Sequence, residues 1–211
     1  MKGLIMSSYY SSKKSLYTYL IVAIFASIIF AFINPIMTCF LPMLFLISPV
    51  TDNIKHEKDS KWMYYISTLP SGRKAYVNAY FTFYGILIFI GLIIGVISVS
   101  LVTQSMTMIL LSIFIGIGAS GTYAMMFPLT FKFGPENSNV ILITTSIIVI
   151  ILFFIVFYGA VFANLGSNTG TLNASAMGSS FLFVGIYAVI GLIFLIISYI
   201  ASLSIFKKQE L

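Results

Sequence analysis

The sequence predicts an all-α integral membrane protein with six transmembrane helices. Of its 211 residues, 60% are apolar and only 8% are charged, whereas a soluble surface needs roughly a quarter charged residues. The chain contains six apolar runs, and the charged residues lie between them or at the two ends. Since a helix needs about 20 apolar residues to cross a bilayer, we expect one transmembrane domain over residues 1–211 and no further globular domain.

The apolar runs set the predicted spans. They cover residues 16–33, 36–50, 76–102, 107–129, 140–163 and 177–206. The first two are the least certain as separate spans, because only Asn34 and Pro35 divide them and the second run contains Pro42 and Pro49. We predict a helical hairpin here. The rival interpretation, one kinked span with a re-entrant tail, would reverse the orientation of every later span.

The distribution of charge favours the hairpin. With six alternating spans, all eleven basic residues fall on one side, which the positive-inside rule makes cytoplasmic, so both termini are expected there. They are Lys2, Lys13, Lys14, Lys55, Lys58, Lys61, Arg73, Lys74, Lys132, Lys207 and Lys208. The five acidic residues and His56 fall on the same side, whereas connections 34–35, 103–106 and 164–176 are uncharged. No span is therefore expected to bury a charge.

Several functional classes are disfavoured by what the spans lack. Proton-coupled or ion-coupled carriers and intramembrane proteases usually need ionisable groups at membrane depth, and the predicted spans have none. Cys39 is the only cysteine, so we expect neither a disulfide framework nor a Cys-rich metal site. The net charge of +6 follows from membrane topology and is not taken as a nucleic-acid footprint. No convincing signal-cleavage site precedes the second span, and residues 1–15 form either an interfacial helix or a solvated tail.

Glycine motifs do not indicate nucleotide binding. The string Gly116-Ile-Gly118-Ala-Ser-Gly121 matches a dinucleotide fingerprint but lies inside an apolar span, and no P-loop string occurs. We therefore expect no catalytic residue, no metal and no cofactor on this chain, which is not itself an enzyme. Small residues recur four apart on two spans and predict close helix packing, with a dimer interface as the alternative. They are Gly91, Gly95, Ser112, Gly116 and Ser120.

The connection over residues 52–75 holds eight of the sixteen charged residues. Within it, Trp62, Tyr65, Ile66 and Leu69 follow helical spacing and predict a short amphipathic helix. Asp59 or Ser60 is its expected N-cap, and Pro70-Ser71-Gly72 its stop. Such a helix either rests in the lipid headgroups as part of an aromatic belt or docks in the groove of a cytosolic partner.

These features resemble the ABC-2 type permeases of bacterial ABC transporters, in their small six-span branch. Three parts of the sequence carry the resemblance. The first is the set of lysines before span one, Lys2, Lys13 and Lys14. The others are Asp59-Ser-Lys-Trp62 leading to Leu69-Pro70-Ser71-Gly72-Arg73-Lys74, and Phe131-Lys132-Phe133-Gly134-Pro135-Glu136. The resemblance implies a coupling helix that docks on a separate ATPase, which binds ATP and Mg. The implied coupling residues are Asp59, Lys61, Trp62, Tyr65, Ile66, Leu69, Pro70 and Arg73, with a secondary contact at Lys132, Gly134 and Glu136. Pro135 and Glu136 are also typical of an ordinary cap on span five, and this interpretation is favoured over a partner contact.

The resemblance also implies an assembly and a cargo. Two permeases, identical or different, would pair with two ATPases in the plasma membrane. Within the family the chain is similar to permeases of staphylococcal exporters for phenol-soluble modulins, which are amphipathic cytolytic peptides. The uncharged spans, rich in Phe, Tyr and Met, suit such cargo better than a small ion. The alternatives are an antimicrobial-peptide resistance permease and a membrane immunity or scaffold protein without transport activity.

Overall fold

The computed structural model describes residues 2–68, 72–165 and 174–208, and within these ranges the protein is helical without strands. The helices are α1 (Lys2–Ile33), α2 (Phe40–Asp59), α3 (Trp62–Ser67), α4 (Gly72–Thr103), α5 (Met106–Tyr123), α6 (Met126–Phe133), α7 (Ser138–Leu165) and α8 (Ala174–Lys208). Short 3-10 helices cover Pro35–Met37 and Pro135–Asn137. Six segments are long and apolar enough to cross a membrane, which confirms the predicted fold class of a multi-pass helical membrane protein.

The first two spans form the predicted hairpin. Asn34 is extended, and its Oδ1 accepts a hydrogen bond from the backbone N–H of Ile36 at 3.3 Å, so α1 ends and the chain reverses within a few residues. The structure therefore excludes the single kinked span. Residues 2–15 continue α1 without a break and form neither a separate interfacial helix nor a solvated tail. Their end is fixed to α2, where Ser15 Oγ donates to Asp52 Oδ2 at 2.5 Å.

Two spans differ from their predicted shape. Helix α2 runs through Pro49 to Asp59, nine residues beyond the predicted end of span two. Span four is broken between α5 and α6 at Ala124 and Met125. Pro128 explains the break, because it has no N–H for the carbonyl of Ala124 and its ring crowds that carbonyl. The N–H of Phe127 donates to the carbonyl of Ala124 instead, at 3.1 Å.

Span two and span four form the interior of the bundle. In their most apolar stretches, 56% and 61% of the residues are buried, against 22–28% in the other four spans, whose outer faces are apolar. The starts of α1, α4 and α7 and the ends of α2, α6 and α8 meet at one end of the bundle. This charged end carries the lysines and Arg73, whereas the opposite end is uncharged in the described residues.

Candidate functional site at the charged end of the bundle

The short helix α3 leaves α2 through a two-residue turn. The N–H of Ser60 still bonds to the carbonyl of His56 at 3.1 Å, and Lys61 then adopts a left-handed conformation with φ 53°. Such a conformation is uncommon for a residue other than glycine and redirects the chain. Lys61 occupies the N-cap position of α3 without a side-chain cap. The expected cap by Asp59 or Ser60 is therefore wrong, since Asp59 ends α2 and Ser60 Oγ donates to the carbonyl of Glu57 at 3.3 Å.

The predicted stripe of α3 divides between the bundle and the outside. Ile66 is 1% exposed and packs into the core, whereas Tyr65 is 59% exposed. Trp62 lies between these environments, half-buried against the core, and its ring stacks on that of Tyr65 with centroids 5.5 Å apart. The helix ends at Ser67, while Leu69 and Pro70 lie outside the described residues, as does the side chain of Asp59. Ile66 thus anchors α3, and the Trp62–Tyr65 pair is its outward aromatic surface.

A buried polar cluster lies beneath α3 and was not predicted. Tyr76 Oη donates to Glu57 Oε2, and Asn53 Nδ2 donates to Glu57 Oε1 at 3.3 Å and to Tyr80 Oη at 3.0 Å. All four residues are less than 9% exposed. Burial raises the pKa of the Glu57 carboxyl, an effect that hydrogen bonds from Tyr76, Tyr80 and Asn53 partly offset. Glu57 lies beyond the second span, so it does not contradict the expectation that no span buries a charge, but it shows that a charged residue of the connection is buried.

A sequence signal for this cluster existed. Asn53 and Glu57 are four residues apart on α2, and Tyr76 and Tyr80 are four apart on α4, so each pair shares a helix face. Glu57 was counted only as one of the charged residues of the connection, so its pairing with the tyrosines of α4 was missed. The rings are held in place, because Tyr76 stacks on Phe206 at 5.4 Å and meets Tyr80 edge-on at 4.8 Å.

Arg73 joins the start of α4 to the end of α8. Its Nη1 donates to the backbone carbonyl of Lys207 at 3.0 Å, where the last carbonyls of a helix lack partners within it. The cation also lies at the negative end of the α8 dipole. Lys61, named with it as a coupling residue, is exposed. Arg73 therefore has a structural contact in addition to any contact with a partner.

The connection between α6 and α7 holds the residues predicted as a secondary contact, and it lies at the charged end of the bundle. Lys132 is exposed on α6, with its Nζ 5.4 Å from the centroid of the Phe133 ring. Gly134 adopts φ 82°, a conformation that favours glycine. Glu136 is exposed in the 3-10 helix that precedes α7, so it lies before the first turn of span five and not within it.

Four of the five small residues predicted to allow close packing meet the chain at the start of α2, and the fifth, Ser120, meets α4. A Cβ on Gly91 or Gly116 would lie 3.1 Å or less from Met43, and one on Gly95 would lie 2.7 Å from the Cα of Cys39. Ser112 Oγ accepts the N–H of Cys39 at 3.0 Å, and the carbonyl of Ser120 accepts Tyr84 Oη at 2.5 Å. These positions pack within one chain.

The remaining glycines of the fingerprint string contact α8. A Cβ on Gly118 would lie 2.3 Å from the Tyr187 ring, and one on Gly121 would lie 2.1 Å from the carbonyl oxygen of Gly191. The string lies within helix α5 and not in a strand-to-helix turn. Its glycines therefore allow two helix backbones to approach each other.

Comparison with known proteins identifies the class of this helical bundle. The profile of the family described as ABC-2 family transporter protein matches residues 3–207, and the chain belongs to that family. It is a membrane permease of an ABC transporter, the transmembrane component that works with an ABC ATPase and is not itself the ATPase. No curated protein and no solved structure gives a significant match.

Proposed function

We propose that this permease exports amphipathic peptides and that α3 is the helix through which a separate ATPase drives it. The observation that carries the coupling role is the division of α3: Ile66 is buried, while Tyr65 is 59% exposed at the charged end and stacks on the half-buried ring of Trp62. Clustered aromatic side chains are typical anchors at protein interfaces. An exposed aromatic surface on a firmly seated short helix suits docking into a groove.

The orientation we propose places the charged end in the cytoplasm. All eleven basic residues of the sequence belong to the segments at that end, in agreement with the positive-inside rule. Both termini are then cytoplasmic, and α3 faces the compartment that contains ATP. Closure of two ATPases would push α3, and the adjoining helices α2 and α4 would shift between inward-open and outward-open arrangements.

The proposed cargo class rests on the character of the spans. From residue 75 to residue 131 and from 137 to 206 the sequence contains no Lys, Arg, Asp or Glu, and these stretches are rich in Phe, Tyr and Met. A pathway between such helices suits apolar faces of a peptide better than a hydrated ion. The resemblance of the sequence to permeases of exporters for phenol-soluble modulins points to the same class.

Reconstitution tests the function. The purified permease in liposomes should bind an ABC ATPase encoded beside it, and an amphipathic cytolytic peptide should raise ATP turnover and accumulate on the far side. Stimulation by antimicrobial peptides alone would indicate a resistance permease. Failure to bind any ATPase or to stimulate turnover would indicate a non-transporting immunity or scaffold protein and would overturn the proposal.

A single substitution tests the coupling role of α3. Tyr65→Asp introduces a charge on the outward face and leaves Ile66 seated, so the permease should insert normally. Loss of an aromatic anchor costs about 2 kcal/mol, so we expect ATPase affinity to fall by roughly thirty-fold. The matched control is Tyr10→Asp, because Tyr10 is 64% exposed on α1 at the same end. Equal ATPase binding by the two variants would show that α3 merely rests on the lipid.

Differently tagged copies test the assembly that we propose. If two identical permeases pair with two ATPases, one tag should retrieve the other from the membrane. Retrieval only together with a second permease would establish a heterodimer.

A further inference from the structure

The loop that carries α3 is closed at its base by one hydrogen bond between buried groups. Glu57 lies two residues before the end of α2, and Tyr76 lies four residues after the start of α4. Tyr76 Oη donates to the Glu57 carboxylate across a separation of 19 residues. The bond therefore fixes the spacing of the two helix ends between which α3 is displayed.

The surroundings of this bond make it selective for one geometry. Glu57 is 8% exposed and Tyr76 4%, so water competes weakly for either group. A buried carboxylate needs donors to replace its lost hydration. The Tyr76 ring is stacked on Phe206 and cannot swing away without repacking α8, while Asn53 Nδ2 supplies the second donor. Movement of the last turn of α2 away from α4 breaks the bond from Tyr76, whereas the bond from Asn53 lies within α2.

The direction of α3 follows directly from that last turn. Only Ser60 and Lys61 separate the two helices, and Ser60 Oγ donates to the backbone carbonyl of Glu57 itself. Glu57 thus contacts the turn through its main chain and α4 through its side chain. Ile66 supplies the other anchor of α3, one turn further along.

We infer that Glu57 is a positioning residue for energy coupling: by accepting the Tyr76 hydroxyl it holds α2 against α4 and sets the angle at which Trp62 and Tyr65 meet the ATPase. The coupling part of this inference rests on the proposed function of α3. The positioning part does not, because it concerns the permease alone. Glu57 contacts neither ATP nor, in this role, the cargo.

Spin labelling of the isolated permease tests the positioning part. The label is attached to Thr68→Cys, an exposed position at the end of α3, in a Cys39→Ala background and in lipid nanodiscs. Tyr76→Phe keeps the ring and removes only the hydroxyl, and it should give faster label motion. Tyr84→Phe is the matched control, since Tyr84 is on the same helix, is buried, and donates to the carbonyl of Ser120 far from the loop. A label at Met106→Cys, on the opposite end, should be unaffected by both.

Variants at Glu57 complete the test. Glu57→Met removes both acceptors, and it should reproduce Tyr76→Phe. Glu57→Gln keeps an acceptor for Tyr76, and its new N–H group can donate to the Asn53 amide oxygen, which is buried and has no hydrogen-bond partner among the described residues. We expect label motion close to that of the unaltered protein. If Glu57→Met fails to fold, Tyr76→Phe decides the question.

The ATPase readout separates this inference from the proposed function. Loss of one hydrogen bond shifts an equilibrium by about five-fold to ten-fold, so Tyr76→Phe should weaken ATPase affinity by that factor while Tyr84→Phe does not. If the unaltered permease couples normally and Tyr76→Phe couples equally well, the inference fails and the proposed function stands. If no form binds an ATPase but Tyr76→Phe still frees the label, the proposed function fails and the positioning role stands. Equal label motion in Tyr76→Phe and Tyr84→Phe overturns the positioning role.

Discussion

The two ends of α2 are held against α4 by different physical means. At the uncharged end, small residues of α4 leave room for the backbone that leads into α2. A Cβ on Gly95 would lie 2.7 Å from the Cα of Cys39, and one on Gly91 would lie 3.2 Å from the Cα of Met43. The contact here depends on how closely the two helices fit, because the glycines of α4 have no side chain that could rearrange.

At the charged end, the same two helices meet through large polar side chains. Tyr76 and Tyr80 of α4 hydrogen-bond Glu57 and Asn53 of α2. Hydrogen bonds can be exchanged for others when the helices separate, whereas backbone packing at a glycine has one good distance. We therefore assign a fixed pivot to the uncharged end. The end that carries α3 is an adjustable contact, which holds α2 against α4 until its hydrogen bonds are exchanged.

The largest effect is expected where helix backbones are closest. Gly121→Ala places a Cβ 2.1 Å from the carbonyl oxygen of Gly191, so α5 and α8 must move apart. We expect a loss of about 3 kcal/mol in unfolding free energy, at the upper end for an overpacked core. Unfolding of the purified protein in detergent measures it. The control is Gly85→Ala, which meets nothing within 4 Å and should be neutral or slightly stabilising. A neutral Gly121→Ala would show that this seam is loose.

A smaller loss is expected at the pivot itself. Gly95→Ala meets both the backbone and the sulfur of Cys39 at 2.7 Å, and we expect it to cost about 2 kcal/mol. Gly116→Ala meets chiefly the Sδ of Met43, which is the movable end of a flexible side chain, so its cost should stay below about 1 kcal/mol. The two variants are compared by thermal unfolding and by labelling of α3. If Gly95→Ala leaves stability unchanged but frees α3, the pivot and the adjustable end have been assigned the wrong way round.

The sequence was sufficient to predict the six spans. Long charge-free runs and one-sided charge are properties of composition that do not depend on packing, and the structure confirms the spans with shifts at their ends. The break at Pro128 was missed, because an apolar run does not reveal where a proline interrupts a helix. The single-domain assignment over residues 1–211 stays a prediction.

The candidate site was predicted less completely. Helical spacing located α3 but did not indicate which side of it faces the bundle: Ile66 and Tyr65 are adjacent in sequence, yet about 100° apart around the helix axis. Glu57 was missed because its partner Tyr76 lies on another helix, and only the fold brings them together. The N-cap was misassigned because Lys61 adopts a left-handed conformation that side-chain preferences do not predict.

The adjustable end should be sensitive to pH. Because the pKa of Glu57 is raised above the ordinary value of about 4.3, the folded state binds more protons than the unfolded state between these two values. The contribution of Glu57 to stability is therefore fully present below the lower value and is lost as pH rises through the raised pKa. Thermal unfolding from about pH 5 to about pH 8 should show this loss in the unaltered protein. Glu57→Gln should lack it, because the amide that replaces the carboxyl does not titrate in this range. Parallel curves for the two proteins would contradict the buried, destabilised carboxylate.

The smallest effect is expected at Arg73, which ties α4 to the end of α8 beside the adjustable contact. Its bond to the Lys207 carbonyl is partly exposed, so Arg73→Gln should cost only about 0.5 to 1 kcal/mol. The change should be local. Amide hydrogen exchange should become faster in the last turn of α8 and stay the same in α3, because Glu57 and Ile66 hold α3 independently. Lys74→Gln removes the same charge from the neighbouring exposed position and should leave that exchange unchanged. If both variants accelerate it equally, the contribution of Arg73 is one of charge at the helix terminus, and the directed hydrogen bond contributes nothing measurable.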